Sequence, residues 1–324
     1  MESITKNRVE KNTLVSMVRK AFPELEINKI TELNEGYFNI SYLIGLSDNS
    51  EVILKIAPPN DIAVMTHEIN IMYSEVTSIR MVKRETDIPV PEILFYDNSR
   101  TLCGSEYFFM SKLDGNSFNS LKKCLTEEET REIKFEIGRL NRKINHITND
   151  KFGYFGQLDR QGDDWYQVFS DIIGDAIHDA EELKIDLQTP IKKIYELLAR
   201  DKGYFQEITK PRLVHWDLWA GNVFIRDNKV TGLIDFERCL WADELMEVGF
   251  RTCWYNEAFQ QGYGTKELSH SQMVRVRWYD IYLFLISILE CDYRKYETRD
   301  TYNWATQMLK KWISEMEKDI CLHT

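Results

Sequence analysis

The stretch LVHWDLWAGNVFI at residues 213–225 places polar side chains inside a segment with apolar ends. Shortly after it, GLIDFERCLWAD at 232–243 again sets an aspartate, Asp235, between apolar neighbours. The segments VFI and TGLIDFE are strand-like and flank the turn sequence RDNKV, which predicts two short strands joined by a tight turn. Such a hairpin brings Asn222 and Asp235 close together, with Asp217 on the loop just before it.

These three side chains suit phosphoryl transfer. Two oxygen ligands at neighbouring strand ends suit Mg²⁺, which takes few protein ligands and keeps several waters. A third carboxylate on a loop can orient the attacking hydroxyl. The alternative is a chance turn rich in Asp and Asn, against which the second aspartate inside a strand argues. The spacing predicts Asn222 and Asp235 as metal ligands and Asp217 as the catalytic residue.

The pattern H-x-D-x-x-x-x-N, followed by an apolar-Asp-Phe segment, resembles the catalytic and metal loops of the protein-kinase-like fold. In the form HWDLWAGN…LIDFE it is similar to the aminoglycoside phosphotransferase family, whose relatives include fructosamine and choline kinases. Two positions depart from these patterns. Glu237 stands where protein kinases have the glycine of D-F-G, and Trp216 stands where much of the family has glycine.

The chain divides by its hydrophobic periodicity into two unequal parts. Alternating apolar residues in YFNISYLIGL and EVILKIA predict a β-hairpin, and helices are predicted over about 12–22 and 61–82. After a capping box at Thr126–Glu129, helical patterns dominate. The prediction is an α+β, two-lobed protein-kinase-like fold. It has a small antiparallel β-rich nucleotide-binding lobe (1–110), a hinge (111–116) and a larger, mainly helical lobe with the catalytic loop and acceptor site (117–324).

Lys55 ends the sequence VILK, which lies where the resemblance expects V-A-I-K and implies a lysine that holds nucleotide phosphates. Such a lysine needs a carboxylate partner on the following helix. Glu68 lies between Met65 and Met72 on the predicted helix, and the resemblance favours it. Glu75 lies seven residues further, on the same predicted face, and is the rival.

The resemblance also implies further nucleotide contacts. Backbone at the hinge would read the purine edge, which leaves the donor open between ATP and GTP, used with Mg²⁺. The expected residues are Gly36 and Asn39 in the loop over the phosphates, Ile53 above the ring, Ser111, Lys112 and Leu113 at the hinge, and Phe224 and Ile234 beneath the ring.

The acceptor is expected in the helical lobe. In the resembled family acidic side chains often meet a cationic acceptor, and the net charge of −11 agrees with that. The candidates are Trp219, Glu237, Asp243 and Glu244. An aminoglycoside-type antibiotic is the leading acceptor, and a fructosamine-, choline- or homoserine-like metabolite is the alternative. A catalytically dead nucleotide-binding module is a third hypothesis.

Charge and composition exclude several other classes. A chain with a net charge of −11 is a poor partner for a phosphate backbone, so no nucleic-acid partner is expected. The apolar run IYLFLISIL is too short to span a bilayer, and no membrane partner is expected. The six cysteines form no C-x-x-C pair, and the polar start MESITKNRVEKN is unlike a signal peptide. These features predict a cytoplasmic protein.

Overall fold

The computed structural model describes residues 6–33, 38–265 and 267–318. Its amino-terminal part is built on an antiparallel sheet of five strands in the order β1-β2-β3-β5-β4. The strands are β1 (Ile27–Leu33), β2 (Ile40–Leu46), β3 (Glu51–Ile56), β4 (Ile93–Asp97) and β5 (Tyr107–Ser111). The helices α1 (Lys11–Ala21) and α2 (Ile71–Glu85) accompany this sheet.

The hairpin of β2 and β3 forms as the alternating pattern predicted. Buried and half-buried positions alternate strictly along β2, because successive side chains of a strand point to opposite faces. The two strands pair antiparallel from Ile40 opposite Ile56 to Gly45 opposite Glu51. The buried face of this hairpin packs against Leu14 and its neighbours on α1, so one side of the sheet is closed.

The helix predicted over 61–82 begins later than its apolar pattern indicated. Thr66–Glu68 form a single 3-10 turn, and the α-helix starts only at Ile71. Asn70, directly before it, has a φ of 58°, in the left-handed region that a right-handed helix excludes. Residues before Asn70 are therefore out of phase with α2.

The remainder of the chain is mainly helical. Its helices are α3 (Phe118–Leu121), α4 (Glu127–Ile144), α5 (Trp165–Glu182), α6 (Ile191–Arg200), α7 (Glu257–Tyr263), α8 (His270–Tyr293) and α9 (Asp300–Lys318). The capping box predicted for α4 is confirmed, because Thr126 and Glu129 bond each other's backbone N–H. This architecture confirms the predicted fold of a small antiparallel β-rich lobe and a larger helical lobe.

Two small sheets in the helical lobe carry the polar segments. One contains β6 (Asn116–Ser117), β9 (Val223–Arg226) and β10 (Lys229–Leu233), and the other contains β7 (Gly153–Tyr154), β8 (Arg212–Val214) and β11 (Leu240–Ala242). The predicted hairpin is confirmed as β9 and β10. Its turn residues Asp227 and Asn228 have φ values of 51° and 59°, as a type I′ turn requires.

The apolar run IYLFLISIL lies within α8 and is buried throughout. Within the described ranges, no helix is both long enough and apolar enough to cross a membrane. In the same ranges, five cysteines are free thiols: Cys103, Cys124, Cys239, Cys253 and Cys291.

Candidate active site

His215 holds the loop that follows β8. Its buried Nε2 donates to the carbonyl oxygen of Ile234 at 3.1 Å, and its Nδ1 accepts from the N–H of Asp217 at 3.3 Å. Burial lowers the pKa of His215, and the two contacts fit the neutral Nε2–H tautomer. His215 therefore ties the loop of Asp217 to the strand end that carries Asp235.

Glu247 fixes the backbone of the same loop. Its carboxylate is fully buried and accepts from the N–H of His215 at 2.9 Å and of Trp216 at 3.1 Å. The side-chain amides of Asn141 and Asn145, on and just after α4, each donate to it at 2.8 Å. Four donors compensate the buried charge, so the loop has a rigid support.

Trp216 takes the backbone conformation that glycine adopts most easily. Its φ is 64°, which costs a non-glycine residue about 1–2 kcal/mol. The ring is buried and lies 5.4 Å from the ring of Tyr282, and Arg251 donates to the Trp216 carbonyl. Burial of a large aromatic ring offsets a strain of this size, so the loop keeps its shape without the glycine.

Asp217 lies on the wall of a cleft of about 750 Å³. The side-chain amide of Asn222 donates to the Asp217 carbonyl oxygen at 2.8 Å and to its carboxylate at 3.3 Å. Burial raises the pKa of Asp217 to about 6; Asp235 adds to the rise and Arg238 opposes it. A carboxylate with this pKa is ionised at neutral pH and is a better proton acceptor than an exposed aspartate.

Lys55 lies at the centre of a group of carboxylates, of which Glu75 and Glu237 are buried and Asp235 is partly exposed. Its Nζ is 2.8 and 2.7 Å from the two carboxylate oxygens of Glu75, and 2.5 Å from Asp235. Glu237 is 3.9 Å away. Burial alone lowers the pKa of Lys55, but Asp235 and Glu75 raise it above its ordinary value. Lys55 is therefore a fixed positive charge.

The prediction that Glu68 partners Lys55 is wrong, and the rival Glu75 takes that place. The left-handed Asn70 separates the turn of Glu68 from α2, so the two glutamates do not share a helix face. Glu68 instead accepts from Arg294 at 2.8 Å and from the N–H of Met65 at 3.0 Å. It forms a buried ion pair between the two lobes.

Substitution of Glu75 or Glu68 by glutamine should distinguish the partner of Lys55 from the structural ion pair. Glu75→Gln removes the carboxylate that contacts Lys55 through both of its oxygens, and we expect kcat/KM for the nucleotide to fall by about 100-fold. Glu68→Gln breaks a buried ion pair that does not include Lys55, so we expect mainly a loss of stability, of about 3–5 kcal/mol. Steady-state kinetics and thermal unfolding of both variants measure this, and equal losses of activity would contradict the assignment.

Asn39 and Glu237 lie beside Lys55. The Asn39 amide donates to the Glu237 carboxylate at 2.6 Å, and both side chains are buried. Glu237 was predicted as an acceptor residue, and this is wrong, because it faces Lys55 rather than the cleft of Asp217. Gly36, predicted in the same loop as Asn39, lies outside the described residues.

The carboxylates around Lys55 fit a divalent cation. Glu75, Asp235 and Glu237 each offer an oxygen within 4.8 Å of the others. Burial and the charge of Asp235 raise the pKa of Glu75 to about 7 and of Glu237 to about 8, so Asp235 is the most fully ionised of the three carboxylates at neutral pH. Oxygen ligands of this kind suit Mg²⁺. Asn222 lies beside Asp235, since its carbonyl oxygen accepts from the N–H of Ile234 at 3.0 Å.

Three apolar side chains remain partly exposed at the positions predicted to enclose a purine. Ile53, Phe224 and Ile234 are half-buried, whereas their chain neighbours Leu54, Val223 and Leu233 are buried. Half-exposed apolar side chains of this kind are available to contact a flat ring.

The hinge predicted at Ser111, Lys112 and Leu113 directly follows β5. The N–H of Ser111 donates to the carbonyl oxygen of Glu92 at 2.9 Å, so that N–H is not available to a purine. Lys112 forms an exposed ion pair with Glu51. Leu113 packs on Gly232, where any Cβ would lie 2.2 Å from a Leu113 methyl group.

The two remaining predicted acceptor acids do not line the cleft of Asp217, so that prediction is wrong. Asp243 is buried and accepts from Arg275 and from the Tyr279 hydroxyl, both at 2.7 Å. Glu244 forms an ion pair with Arg212 in a separate cavity. Of the predicted acceptor residues, Trp219 does line the cleft, and its side chain is 38% exposed.

Basic side chains line the cleft instead, and sequence reasoning missed them. Arg238, Arg251 and Arg294 all border it. They come from the segment after β10, from the turn before α7 and from the end of α8. The three arginines belong to no common sequence motif, and it is the fold that brings them together.

A sequence model of the phosphotransferase enzyme family (APH) matches residues 29–272. The chain belongs to this family. The match covers the strand of Lys55, the loop of Asp217 and the strand end of Asp235. The residues that the structure brings together therefore lie within the region that defines the family.

Solved phosphotransferase structures share the fold. One is a thermostable mutant of aminoglycoside phosphotransferase APH(4)-Ia in complex with ADP and hygromycin B: TM-score 0.66, 16% identity, covering 93% of this chain and 98% of that one. Another is a putative fructosamine-3-kinase from Thermobifida fusca: TM-score 0.67, 16% identity, covering 93% of this chain and 100% of that one. At these identities the likeness establishes the fold.

A subtelomeric hrmA-associated cluster protein of Aspergillus fumigatus is similar in sequence over part of the chain. The two are 32% identical over 138 residues, which is 42% of this chain and 26% of that protein. The matched stretch therefore spans only about a quarter of the curated relative.

Proposed function

We propose that the protein catalyses Mg²⁺-dependent transfer of the γ-phosphate of ATP or GTP to a hydroxyl of a small molecule. The observation that carries this proposal is the convergence of distant side chains. Lys55 lies 2.5 Å from Asp235, and His215 and Asn222 connect Asp235 to Asp217 in the adjoining cleft. The reaction needs four polar side chains, and all are present: Lys55, Asp217, Asn222 and Asp235. Their presence argues against a catalytically dead nucleotide-binding module.

The nucleotide would lie between the two lobes. Lys55, braced by Glu75, is placed to hold the α- and β-phosphates. Ile53 would cover one face of the purine, and Phe224 and Ile234 the other. Backbone groups of Lys112 and Leu113 would read its edge in a hinge over 111–116, between lobes over 1–110 and 117–324.

Asn222 and Asp235 would hold the metal, with Glu237 close by. When bound, Mg²⁺ supplies positive charge that neutralises the phosphates and stabilises the charge that develops during transfer. The proximity of Glu75, Asp235 and Glu237 supports this assignment, because a cation relieves the repulsion between neighbouring carboxylates.

Asp217 would act at the acceptor. It accepts the proton of the attacking hydroxyl as the oxygen forms a bond to the γ-phosphorus and the bond to the β-phosphate oxygen breaks. The nucleoside diphosphate leaves, and the proton rests on Asp217. Asn222 donates to the Asp217 carboxylate and so orients it. Positioning and charge neutralisation would supply most of the rate gain.

Two acceptor classes are compatible with this chemistry. An aminoglycoside-type antibiotic is supported by the ternary complex of the structural neighbour with hygromycin B. A hydroxylated metabolite is supported by this cleft itself, since the predicted acids are absent from it and arginines take their place. The charges of the cleft favour the metabolite. The free thiols fit the cytoplasmic setting expected for such an enzyme.

A coupled assay of ADP and GDP release tests the proposal. The native protein is screened with ATP or GTP against aminoglycosides, ketosugar-amines, amino alcohols and hydroxy acids, with Mg²⁺ and with EDTA. We expect at least one acceptor to raise release about tenfold above the hydrolysis background, and EDTA to abolish the increase. Release that no acceptor stimulates, or that persists in EDTA, would contradict the proposal.

A further inference from the structure

The charge of the cleft beside Asp217 is opposite to that of the whole protein. The chain has a net charge of −11. Among the described residues that border the cleft, the cations are Lys122, Lys134, Arg238, Arg251 and Arg294, and the carboxylates are Asp217 and Glu290. A local excess of positive charge in a cleft attracts a ligand that carries negative charge.

Arg238 and Arg294 are held in place by ion pairs, but within the described ranges not all of their N–H donors have partners. Glu290 accepts from Arg238 at 2.6 Å and lies 3.2 Å from Arg294, which also bonds Glu68 at 2.8 Å. Both guanidinium groups are more than nine-tenths buried. The Nε of each is also buried and has no hydrogen-bond partner among the described residues. A buried donor without a partner is costly, so neither guanidinium group is fully satisfied by the residues that the structure describes.

Arg251 is the third cation and lies nearest the catalytic loop. Its guanidinium lies over the rings of Trp216 at 5.1 Å and Trp254 at 5.3 Å, and it donates to the Trp216 carbonyl. In the part of the chain that the structure describes, Arg251 has no carboxylate within ion-pair distance. Burial lowers its pKa, as expected for a cation that lacks a close anionic partner.

Aromatic rings at the rim of the cleft remain exposed. Trp219, Trp254 and Tyr255 all border it, and they are 38%, 49% and 70% exposed. Exposed rings beside buried cations suit a ligand with an apolar or planar body and an anionic group.

We infer that the acceptor carries an oxyanion, a carboxylate or a phosphate, in addition to the hydroxyl that is phosphorylated. Arg238, Arg251 and Arg294 receive this oxyanion, and the rim aromatics contact the body of the molecule. The inference deepens the proposed phosphotransferase function and rests on it. A polycationic acceptor would instead set its ammonium groups against three arginines.

Binding of a charge series to the nucleotide-loaded protein tests the inference without turnover. Mandelate, mandelamide and 2-amino-1-phenylethanol share a phenyl ring and a hydroxyl, and they are anionic, neutral and cationic. Calorimetric titration is done with the full chain saturated with Mg²⁺ and AMP-PNP, so that the phosphate site is filled. We expect mandelate to bind at least tenfold more tightly than mandelamide, and the amine to bind most weakly.

A second pair separates the two oxyanions. Glycerol 3-phosphate is compared with glycerol under the same conditions, so that preference for a phosphate is distinguished from preference for a carboxylate. The inference is overturned if neither anion binds more tightly than its neutral partner, or if the cationic compound binds best. The titration measures binding and no phosphate transfer. Neither of these results would therefore contradict the phosphotransferase proposal, which the assay of ADP and GDP release tests separately.

Matched variants test which cations of the cleft contribute to the binding of mandelate. Lys122 borders the cleft and Lys123 does not, and both are exposed. Lys122→Gln should weaken binding of mandelate about threefold, and Lys123→Gln should not change it. Arg251→Gln should weaken mandelate at least tenfold and leave mandelamide within twofold. Equal weakening of both compounds by Arg251→Gln would mean a purely structural arginine and would overturn its role.

Discussion

Asp217→Ala should lower kcat by about 1000-fold or more while the protein still binds the nucleotide. The variant removes the carboxylate that borders the acceptor cleft, but it leaves Lys55, Glu75 and Asp235 in contact. Asp217→Asn keeps the shape of the side chain and cannot accept a proton, so it should lose nearly as much activity. Turnover near the native rate in either variant would remove Asp217 from the mechanism.

The raised pKa of Asp217 provides a check on this result in the native protein. Because its pKa is about 6 in the free enzyme, kcat/KM should fall about tenfold per pH unit below that value, as the proton acceptor becomes protonated. The stability effect has the opposite sign. A folded pKa above the unfolded value means that ionised Asp217 destabilises the fold as pH rises from about 4 to 6. Asp217→Asn should therefore be no less stable at neutral pH, so lost activity would not reflect unfolding.

The parts of the site that the sequence could predict are local in the chain. Asp217, Asn222 and Asp235 lie on one loop and one hairpin, so a short spacing pattern fixes their approximate positions. The apolar strand sequence that contains Lys55 is equally local. The β-rich and helical lobes follow from the same kind of evidence, since periodicity of two or of 3.6 residues is read over short windows.

Glu75 was not favoured as the partner of Lys55 because one residue, Asn70, interrupts the helical periodicity predicted over 61–82. A continuous helix over 61–82 puts Glu68 and Glu75 on one face, but Asn70 adopts a left-handed conformation and ends that continuity. Asparagine tolerates this conformation better than most residues, so its presence was a signal. Apolar spacing alone does not show it, because Met65 and Met72 are buried in either case.

The acceptor residues could not be predicted, because their roles depend on contacts between distant segments. Asp243 is neutralised by Arg275 on α8, and Glu244 by Arg212 on β8. The cations that line the cleft are also scattered, as Arg251 and Arg294 show. Net charge describes the whole surface and gives no information about the sign of the charge in one cleft.

Asp235→Asn should greatly weaken the Mg²⁺ binding on which nucleotide binding depends. Asp235 is the carboxylate shared by Lys55 and the predicted metal site, and its pKa is held below its usual value by Lys55 although burial opposes this. Removing its charge leaves Mg²⁺ without its ionised ligand at neutral pH, because the pKa values of Glu75 and Glu237 are raised. We expect the Mg²⁺ concentration at half-maximal nucleotide binding to rise at least about 100-fold and turnover to fall by about 1000-fold.

The same hairpin offers a matched control for that experiment. Asp227 is exposed at the turn between β9 and β10 and has a φ of 51°, a conformation that asparagine accepts. Asp227→Asn removes the same charge from the same pair of strands but does not alter the group around Lys55. It should leave the Mg²⁺ titration unchanged. If Asp235→Asn also titrates like the native protein, Asp235 does not hold the metal, and the magnesium part of the proposed mechanism is wrong.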